Sequence, residues 1–337
     1  MNNAALFPTI TPDVLPVLAP THERVEVTVE SREADSYSLV LPKTWVRLDD
    51  FGNQPDSPGQ LVQIGYFVSA GQPDAAAFQV FVTRPLFEVD LADWLRFQAD
   101  LRETPLTQIL RTPSAAGLLA EASTETDGAI LRMAACADSG RIFFLIAQAP
   151  VEQFAIHARD LAIAIQTFCL SAPSGSSRLE RWLTADLKEP AFSVEFPMSW
   201  QPQPIAGPHA RANALHLRLL GEKSLAGYVR VKAERAGKKD QAAAFAVMSR
   251  EIERAGVHLR SDWRTDGPYS IATASAGADD FELRAAWVKR QETAFTFTAV
   301  SVLRAENPVL WMRTKRAFDI VYASAQPAHA SGGSHVA

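Results

Sequence analysis

Cysteine is scarce in this sequence, with two residues among 337. Cys136 and Cys169 stand alone, without CxxC spacing or a neighbouring histidine, so no disulfide framework or zinc site is indicated. We expect both to be small buried hydrophobic residues in a protein of the reducing cytoplasm. A disulfide or a reactive thiol is the alternative.

The sequence also lacks an excess of positive charge and a long apolar run. The chain has 33 Lys and Arg residues against 38 Asp and Glu residues, a net charge of −5, so no overall basic field attracts nucleic acid. The strongest apolar run, 142–151, is about half of the roughly 20 residues that span a bilayer. Residues 1–20 lack the basic start and apolar stretch of a signal peptide. We therefore expect a cytoplasmic protein that neither inserts into a membrane nor binds nucleic acid.

Catalytic signatures are missing as well. There is no GxGxxG, GxSxG or HExxH motif, and the seven histidines have no acidic or cysteine partner at metal-ligand spacing. The basic run 235–239 precedes a predicted helix and is expected to be a solvated loop. We predict a non-enzymatic protein without catalytic residues, cofactor or metal. An enzyme with an unrecognised site is the alternative.

Two stretches of the sequence recur at nearly the same offset. Residues 37–45 and 192–200 share the order aromatic, Ser, two variable positions, apolar, Pro, one variable position, Ser or Thr, Trp. Farther along, Leu-Arg-x-Ala occurs at 131–134 and again at 283–286. The offsets are 155 residues (37 to 192) and 152 residues (131 to 283), a drift that loop-length differences absorb. The sequence therefore predicts two copies of one unit.

Each copy predicts the same succession of elements. A short strand ended by proline is followed by two strands, an amphipathic helix, a β-hairpin and a closing helix. We therefore predict the α+β class, with two tandem sandwich domains at 36–170 and 191–324. Each domain is a twisted antiparallel sheet packed by helices.

Three flanking segments complete the predicted organisation. An N-terminal extension, 1–35, includes an extra edge strand at 24–30, where valines alternate with charged residues. The linker 171–190 is rich in Ser, Gly and Pro and includes a short helix. The tail 325–337 is expected to be disordered. The linker helix is based on the spacing of four residues: Leu179, Trp182, Leu183 and Leu187.

The last hairpin strand of each copy distinguishes two faces of the sheet. At the 152-residue offset, positions 143, 145 and 147 align with positions 295, 297 and 299. All six residues are apolar and lie on one side of their strand, so these positions form the core face. The opposite, outer face is apolar in the first copy but carries threonines in the second. We also assign two arginines to it, on the assumption that the preceding leucines point inward. The candidate partner-binding residues of the outer faces are Ile142, Phe144, Ile146, Arg132, Arg284, Thr296 and Thr298.

An apolar outer face must be covered by something. The cover is a helix of the same chain, the other copy or a partner, and the sequence leaves these alternatives open. Trp45 and Trp200 recur at the same place in both copies, so we interpret them as structural anchors of the first strand. A contact to an aromatic ligand is the alternative.

This order of elements resembles the PsbP-like fold. The second copy, 192–324, is also similar to the DcrB-like proteins that include the Eag chaperones of bacterial type VI secretion. That resemblance implies a cytoplasmic chaperone whose sheets form a groove for the apolar transmembrane segments of a secreted effector, before loading onto a VgrG-type spike. Members of this family usually act as homodimers, whereas this chain is a tandem. A fused pair would reproduce the dimer's groove within one chain.

The resemblance thus implies a chaperone or adaptor whose partners are a secreted effector with apolar helices and a VgrG-type spike. Fold alone does not fix function, because the PsbP-like fold has several functions. The alternative is a structural scaffold subunit of a bacterial secretion or envelope assembly. Oligomeric state stays open between a pseudo-dimer within one chain and a homodimer.

Overall fold

The computed structural model describes most of the chain. The described residues are 19–30, 32–48, 59–69, 76–106, 108–126, 128–188, 190–203, 213–221, 226–237 and 240–327. By its internal contacts the chain divides into two units, Met1–Leu179 and Glu180–Ala337.

The first unit contains two antiparallel sheets and two helices. Its strands are β1 (His22–Val27), β2 (Tyr37–Pro42), β3 (Trp45–Arg47), β4 (Val62–Ser69), β5 (Ala77–Thr83), β6 (Gln108–Ser114), β7 (Gly117–Thr126), β8 (Ala129–Asp138), β9 (Arg141–Pro150) and β10 (Cys169–Leu170). Its helices are α1 (Leu91–Asp100) and α2 (Phe154–Thr167), with a 3₁₀ turn at Glu33–Asp35. The sheet orders are β1-β2-β10 and β3-β4-β5-β9-β8-β7-β6.

The second unit repeats this plan. Its strands are β11 (Trp182–Lys188), β12 (Ala191–Pro197), β13 (Trp200–Pro202), β14 (Ala214–Leu219), β15 (Tyr228–Arg235), β16 (His258–Leu259), β17 (Arg264–Asp266), β18 (Tyr269–Ala276), β19 (Asp279–Arg290), β20 (Thr293–Val302) and β21 (Gln326–Pro327). Its helices are α3 (Gln241–Arg254) and α4 (Pro308–Ser324). The sheet orders are β11-β12-β21 and β13-β14-β15-β20-β19-β18-β16, with β17 paired to β18.

The two units have equivalent strand orders in both of their sheets, except that the second unit has one additional strand, β17, paired with β18. The predicted α+β class, with two tandem sandwiches of antiparallel sheet and helix, is confirmed. In each unit the closing helix, α2 or α4, packs against both sheets. Apolar side chains between them form one core per unit.

The core faces are those that the sequence predicted. Phe143, Leu145 and Ala147 are buried in the first core, and the three equivalent residues of β20 are buried in the second. Trp200 is buried in the second core, whereas Trp45 is half-buried against the first. Both tryptophans therefore lie where a packing role requires them.

The predicted linker helix is wrong, because β11 occupies its place. Leu183, Ala185 and Leu187 point to the second core at every other residue, and β11 pairs with β12 along its whole length. A spacing of two residues is that of a strand. β11 is the counterpart of β1, so the second copy has the same edge strand that the sequence predicted for the first.

The ends of the chain also differ from expectation. Gln326 and Pro327 form β21 and pair with β12, so the start of the predicted disordered tail is ordered, while 328–337 lie outside the described residues. In the extension 1–35, by contrast, the edge strand expected at 24–30 is present as β1, which pairs with β2 at the edge of the small sheet. Residues 1–18 lie outside the described residues.

Candidate binding cleft

The outer face of the first unit's large sheet is covered by α1. Ile142 and Phe144 are 0% exposed, and Ile146 is also buried. The ring of Trp94 on α1 meets that of Phe144 edge-on, with 5.2 Å between centroids. These three β9 residues therefore do not form an open partner-binding face, and that prediction is wrong. Of the alternatives that the sequence left open, the cover over Phe144 is a helix of the same chain.

The sequence of α1 explains why it packs so closely. The Asp90 side chain accepts hydrogen bonds from the first-turn amides of the helix, which fixes its start. Trp94, Leu95 and Ala99 then lie on its buried side at helical spacing. The guanidinium of Arg102 lies over the Phe144 ring at 5.3 Å, and burial lowers the pKa of Arg102. The buried side chains of α1 and β9 therefore form a second packed layer on this face.

Arg132 and Arg284 do not lie on the outer face, where the sequence analysis placed them. Arg132 stands opposite Ala147 and Arg284 opposite Ala299, and both alanines belong to core faces. The preceding leucines therefore point outward. The error has a physical reason: both faces of these strands are covered and consecutive residues are buried, so a leucine does not mark the inward side.

Both arginines are held in buried ion pairs instead. Arg132 Nη2 lies 2.5 Å from Glu121 Oε2, with both side chains almost fully buried. Arg284 Nη2 lies 2.7 Å from Glu282 Oε1, and its guanidinium stacks at 5.3 Å over Trp311 of α4. Neither arginine meets the two candidate threonines on an open surface.

A cleft opens on the outer face of the second unit, between α3 and the strands β15, β20 and β19. Its volume is about 630 Å³, including its open mouth. Thr296 is half-buried and Thr298 is buried, and both line its floor. The Oγ1 of Thr298 donates a hydrogen bond to the sulfur of Met248 at 3.2 Å. Thr296 and Thr298 thus lie on the predicted face, and their binding to a partner stays a prediction.

The strand register shows what replaced the apolar layer of the first unit. One row of facing residues crosses three neighbouring strands in each unit. That row is Phe81, Phe144 and Ala135 in the first unit, and Lys232, Thr296 and Trp287 in the second. The duplicated face is therefore filled with hydrocarbon in one copy, and lined by an ammonium, a hydroxyl and an indole in the other.

The helix above the cleft is only lightly held. Met248 is the one residue of α3 that is buried, whereas α1 buries six. The far side of α3 is fixed by Trp263, whose ring meets Phe245 edge-on at 5.4 Å and whose Nε1 donates to Ser249 Oγ at 3.1 Å. The helix is thus anchored along one side and leaves the other side as the cleft wall.

Charged groups line the cleft in pairs. Arg230 Nη1 lies 3.1 Å from Glu251 Oε2, and Lys232 Nζ pairs with Glu234. The exposed Arg235 also lines the cleft, at the end of β15. The cleft therefore offers apolar contact, hydroxyl groups and charges of both signs.

A neutral aromatic pair flanks the cleft on β14 and β15. His216 stands opposite Arg230 in the register, and its Nδ1 is hydrogen-bonded to the hydroxyl of Tyr228. Burial, and then the charge of Arg230, lower the pKa of His216 to about 4. Burial raises the pKa of Tyr228 to about 12. Both side chains are uncharged at neutral pH, so they add no charge beside the cleft.

Sequence reasoning missed the part of the cleft that comes from other elements. Lys232, Trp287 and Met248 were not predicted, because a strand's own alternation does not identify its neighbours. The repeat did hold a usable signal for one of them: Trp287 occupies the position of Ala135 at the 152-residue offset. A large aromatic residue in place of alanine on a sheet face indicates a surface with a different use.

Two further observations concern the described residues as a group. No three of their His, Cys, Asp and Glu side chains are arranged to hold a metal ion. None of their helices combines the length and the apolar character that a bilayer crossing requires.

Neither a protein-family model nor a curated protein matches the sequence. Similar solved structures include cyanobacterial PsbP from Synechocystis sp. PCC 6803, 12% identical over 44% of this chain and 92% of that chain, with a TM-score of 0.34. LpqN, involved in cell envelope biogenesis of Mycobacterium tuberculosis, is 14% identical over 49% of this chain and 99% of that chain, with a TM-score of 0.32. TplEi, an immunity protein of the T6SS from Pseudomonas aeruginosa, is 11% identical over 86% of this chain and 95% of that chain, with a TM-score of 0.18.

Proposed function

We propose that this chain is a non-enzymatic binding protein that holds a segment of another polypeptide in the cleft of its second unit. The observation that carries the proposal is the difference between the two copies. The same sheet face is sealed by α1 in the first unit and left open beside α3 in the second. The first unit thus serves as an internal reference for how this fold looks when the face has only a structural role.

The lining of the cleft suits an amphipathic segment. Trp287 and Met248 provide apolar surface, against which apolar side chains are removed from water. The hydroxyls of Thr296 and Thr298 provide partners for polar groups that would otherwise be buried unsatisfied. A helix laid into such a groove is a recurring mode of peptide recognition.

The shape of the cleft also favours a segment of chain. The lining residues of β15 that lie on the outer face run from Arg230 to Glu234, which at about 3.3 Å per residue spans about 13 Å. At about 1.5 Å per residue, this is the length of roughly nine residues of helix. Two to three turns of a helix therefore match the trough.

The finer part of the proposal concerns the identity of the bound polypeptide. We propose that it is an apolar helical segment of a secreted effector, with the chain acting in the cytoplasm as a chaperone or adaptor of type VI secretion. This part is based on the sequence resemblance to the DcrB-like proteins. Ile142, Phe144 and Ile146 are buried, which supports our choice of the cleft in the second unit, and not the apolar face of the first, as the proposed binding site.

Co-expression tests the proposal. The full chain is produced together with the apolar helical fragment of an effector encoded beside it, and soluble fragment that co-elutes is measured. We expect co-elution with the natural chain and its loss in the double variant Thr296→Phe/Thr298→Ile. That variant fills the cleft with the side chains that the first unit has at the same positions.

Two controls make the result interpretable. Thr184→Ile changes an exposed threonine of β11 in the same unit and is expected to leave co-elution unchanged. Trp287→Ala removes the indole without adding volume, so it tests the cleft even if the double variant does not fold. Failure of the natural chain to retain the fragment, or retention by both cleft variants, contradicts the proposal.

A further inference from the structure

We infer that α3 is a hinged wall of the cleft, which turns outward to admit a segment of the partner and then closes on it. This inference rests on the proposed function and adds how the site opens. It is carried by the side chains that α3 itself places in the cleft, and by the way the helix is fixed on its other side.

Side chains of α3 already occupy two polar groups of the cleft floor. The Oγ1 of Thr298 donates its hydrogen bond to the sulfur of Met248 at 3.2 Å. One turn further along the helix, Glu251 Oε2 lies 3.1 Å from Arg230 Nη1. We call these two contacts the latch. A carbonyl of the partner can accept from Thr298 only after Met248 has released the hydroxyl, so the described arrangement is the closed form of the cleft.

Both contacts of the latch are weak. A thioether sulfur is a poor hydrogen-bond acceptor. The side chains of Arg230 and Glu251 are 25% and 35% exposed, and an ion pair that water reaches contributes little to stability. Met248 is also the one buried residue of α3, all of whose residues are described. The closed form is therefore only slightly favoured over an open one.

Two neighbouring stripes of residues run along α3 at helical spacing, and only one of them faces the cleft. The cleft-facing stripe is Ala244, Val247, Met248 and Glu251. The other, fixed stripe is Phe245, Ser249 and Ile252. The first two residues of the fixed stripe contact Trp263, and the third packs against the second core. The helix can therefore turn about its fixed stripe while the cleft-facing stripe moves away from the sheet.

The two ends of α3 differ in the same way. The residues of its first turn, 241–243, are exposed. Just after the helix, Gly256 has a φ of +81°, Val257 is buried in the second core, and β16 pairs with β18. The C-terminal end of α3 is therefore the fixed point, and movement of the first turns widens the cleft.

The first unit shows that this freedom is specific to the second copy. Asp90 and Asp240 cap α1 and α3, and the residues four positions later are Trp94 and Ala244. In the first unit the indole belongs to the helix and packs onto the sheet. In the second unit the indole, Trp287, belongs to the sheet. α3 can therefore leave the sheet without removing the aromatic surface that the partner is proposed to bind.

Cysteine labelling of the full chain, without any partner, tests the inference. Thr298→Cys places a thiol under Met248, at a position that is 8% exposed. Its rate of reaction with a maleimide reports how often α3 opens, and peptide mass spectrometry separates it from Cys136 and Cys169. The matched control is Ser301→Cys on the same strand, which is 2% exposed and lies on the core face. We expect Thr298→Cys to react at least about a hundredfold faster, because Ser301→Cys reacts only when the second unit unfolds.

A change in the latch tests its part in the closure. Adding Glu251→Gln to Thr298→Cys removes the ion pair, and we expect labelling to become about two- to fivefold faster. Glu253→Gln makes the same change at an exposed glutamate of α3 outside the cleft lining, and is expected to have no effect. In the otherwise natural chain, Glu251→Gln is expected to increase the amount of effector fragment that co-elutes, since the affinity of a site rises with the fraction that is open.

The outcomes separate this inference from the proposed function. Labelling of Thr298→Cys as slow as that of Ser301→Cys, or equal effects of Glu251→Gln and Glu253→Gln on labelling, overturns the hinged wall and leaves the binding site in place. Reduced co-elution with Glu251→Gln also overturns it, because this carboxylate then binds the partner instead of closing the cleft. Failure of the natural chain to retain the fragment overturns the proposed function, while the labelling rates still decide whether α3 opens.

Discussion

Arg132 and Glu121 show how much of the first unit depends on single side chains. Their ion pair is buried on the inner face of the sheet, where the guanidinium donates through both Nε and Nη2 to one carboxylate oxygen. A buried charge is tolerable only with a partner, so the two residues depend on each other. Removing one partner is therefore far more damaging than removing both.

We predict that Arg132→Met lowers the free energy of unfolding of the first unit by about 3–5 kcal/mol. The double variant Arg132→Met/Glu121→Leu recovers most of this loss, because no uncompensated charge remains. Pulse-labelled hydrogen exchange of 129–150 across a urea series measures the effect. Arg24→Met changes an exposed arginine of the same unit, serves as control and is expected to cost less than about 1 kcal/mol. A double variant as unstable as the single one contradicts the account.

His216 predicts a pH dependence in the second unit. Its pKa in the folded protein, about 4, lies below the ordinary value of 6.5, so the unfolded chain binds a proton that the folded chain refuses. The stability that the neutral ring contributes is fully present above pH 6.5 and is lost as the pH falls towards 4.

We therefore expect the natural chain to lose more stability between pH 7 and pH 4.5 than His216→Phe does, measured as the urea midpoint of the second unit. Comparing two chains cancels the other titrating groups, including Asp319, whose pKa burial raises. The exposed His258 provides the control variant His258→Gln, which should follow the natural chain. Parallel curves for His216→Phe and the natural chain would show that His216 does not titrate as described.

At the scale of elements, α1 and α3 are equivalent helices with different tasks. Both begin at an aspartate whose side chain accepts hydrogen bonds from first-turn amides. The sheet beneath them decides the rest. α1 packs on a sheet face of aromatic and branched side chains and buries six of its residues. α3 lies over threonine, lysine and tryptophan and buries only Met248.

Trp94→Ala tests whether α1 covers the outer sheet face of the first unit. We expect a loss of about 3–5 kcal/mol in stability and new binding of a hydrophobic dye, because the cavity exposes Phe144. Leu101→Ala, just after α1 and 63% exposed, is the control and should be close to neutral. Unchanged dye binding in Trp94→Ala would mean that α1 does not cover this face.

Much of the fold was predictable from the sequence, because duplication gives each pattern twice. The repeat followed from two motifs that recur at nearly one offset, and the α+β class and the core faces of β9 and β20 followed from the spacing of apolar residues. β11 was predicted as a helix because Leu179, Trp182, Leu183 and Leu187 also fit a helical spacing. The signal that distinguishes a strand from a helix here was the repeat itself. The edge strand predicted at 24–30 in the first copy implies a strand at the equivalent place in the second.

The candidate site was less predictable, since it depends on which strands are neighbours. Thr296 and Thr298 were placed on the correct face of one strand. Lys232 reaches the same cleft only through the pairing of β15 with β20, and α3 only through its tertiary position. The outer face of the first unit was identified correctly as needing a cover, but sequence patterns do not specify which element provides it.

At the scale of the whole molecule, each unit has its own core and closing helix. We predict that cleavage at a protease site inserted between Leu179 and Glu180 leaves two halves that each unfold cooperatively, with urea midpoints close to those in the intact chain. Circular dichroism before and after cleavage measures this. A half that loses its cooperative transition shows that the two cores are not independent.

The most direct test of the proposed function is hydrogen–deuterium exchange of the intact chain, alone and in the complex purified with the co-expressed effector fragment. We predict slower exchange in β15, α3 and β20, and no change in the equivalent elements β5, α1 and β9. Protection of the first unit's elements, or no protection beside the cleft in the purified complex, would contradict the claim that the second unit holds the partner.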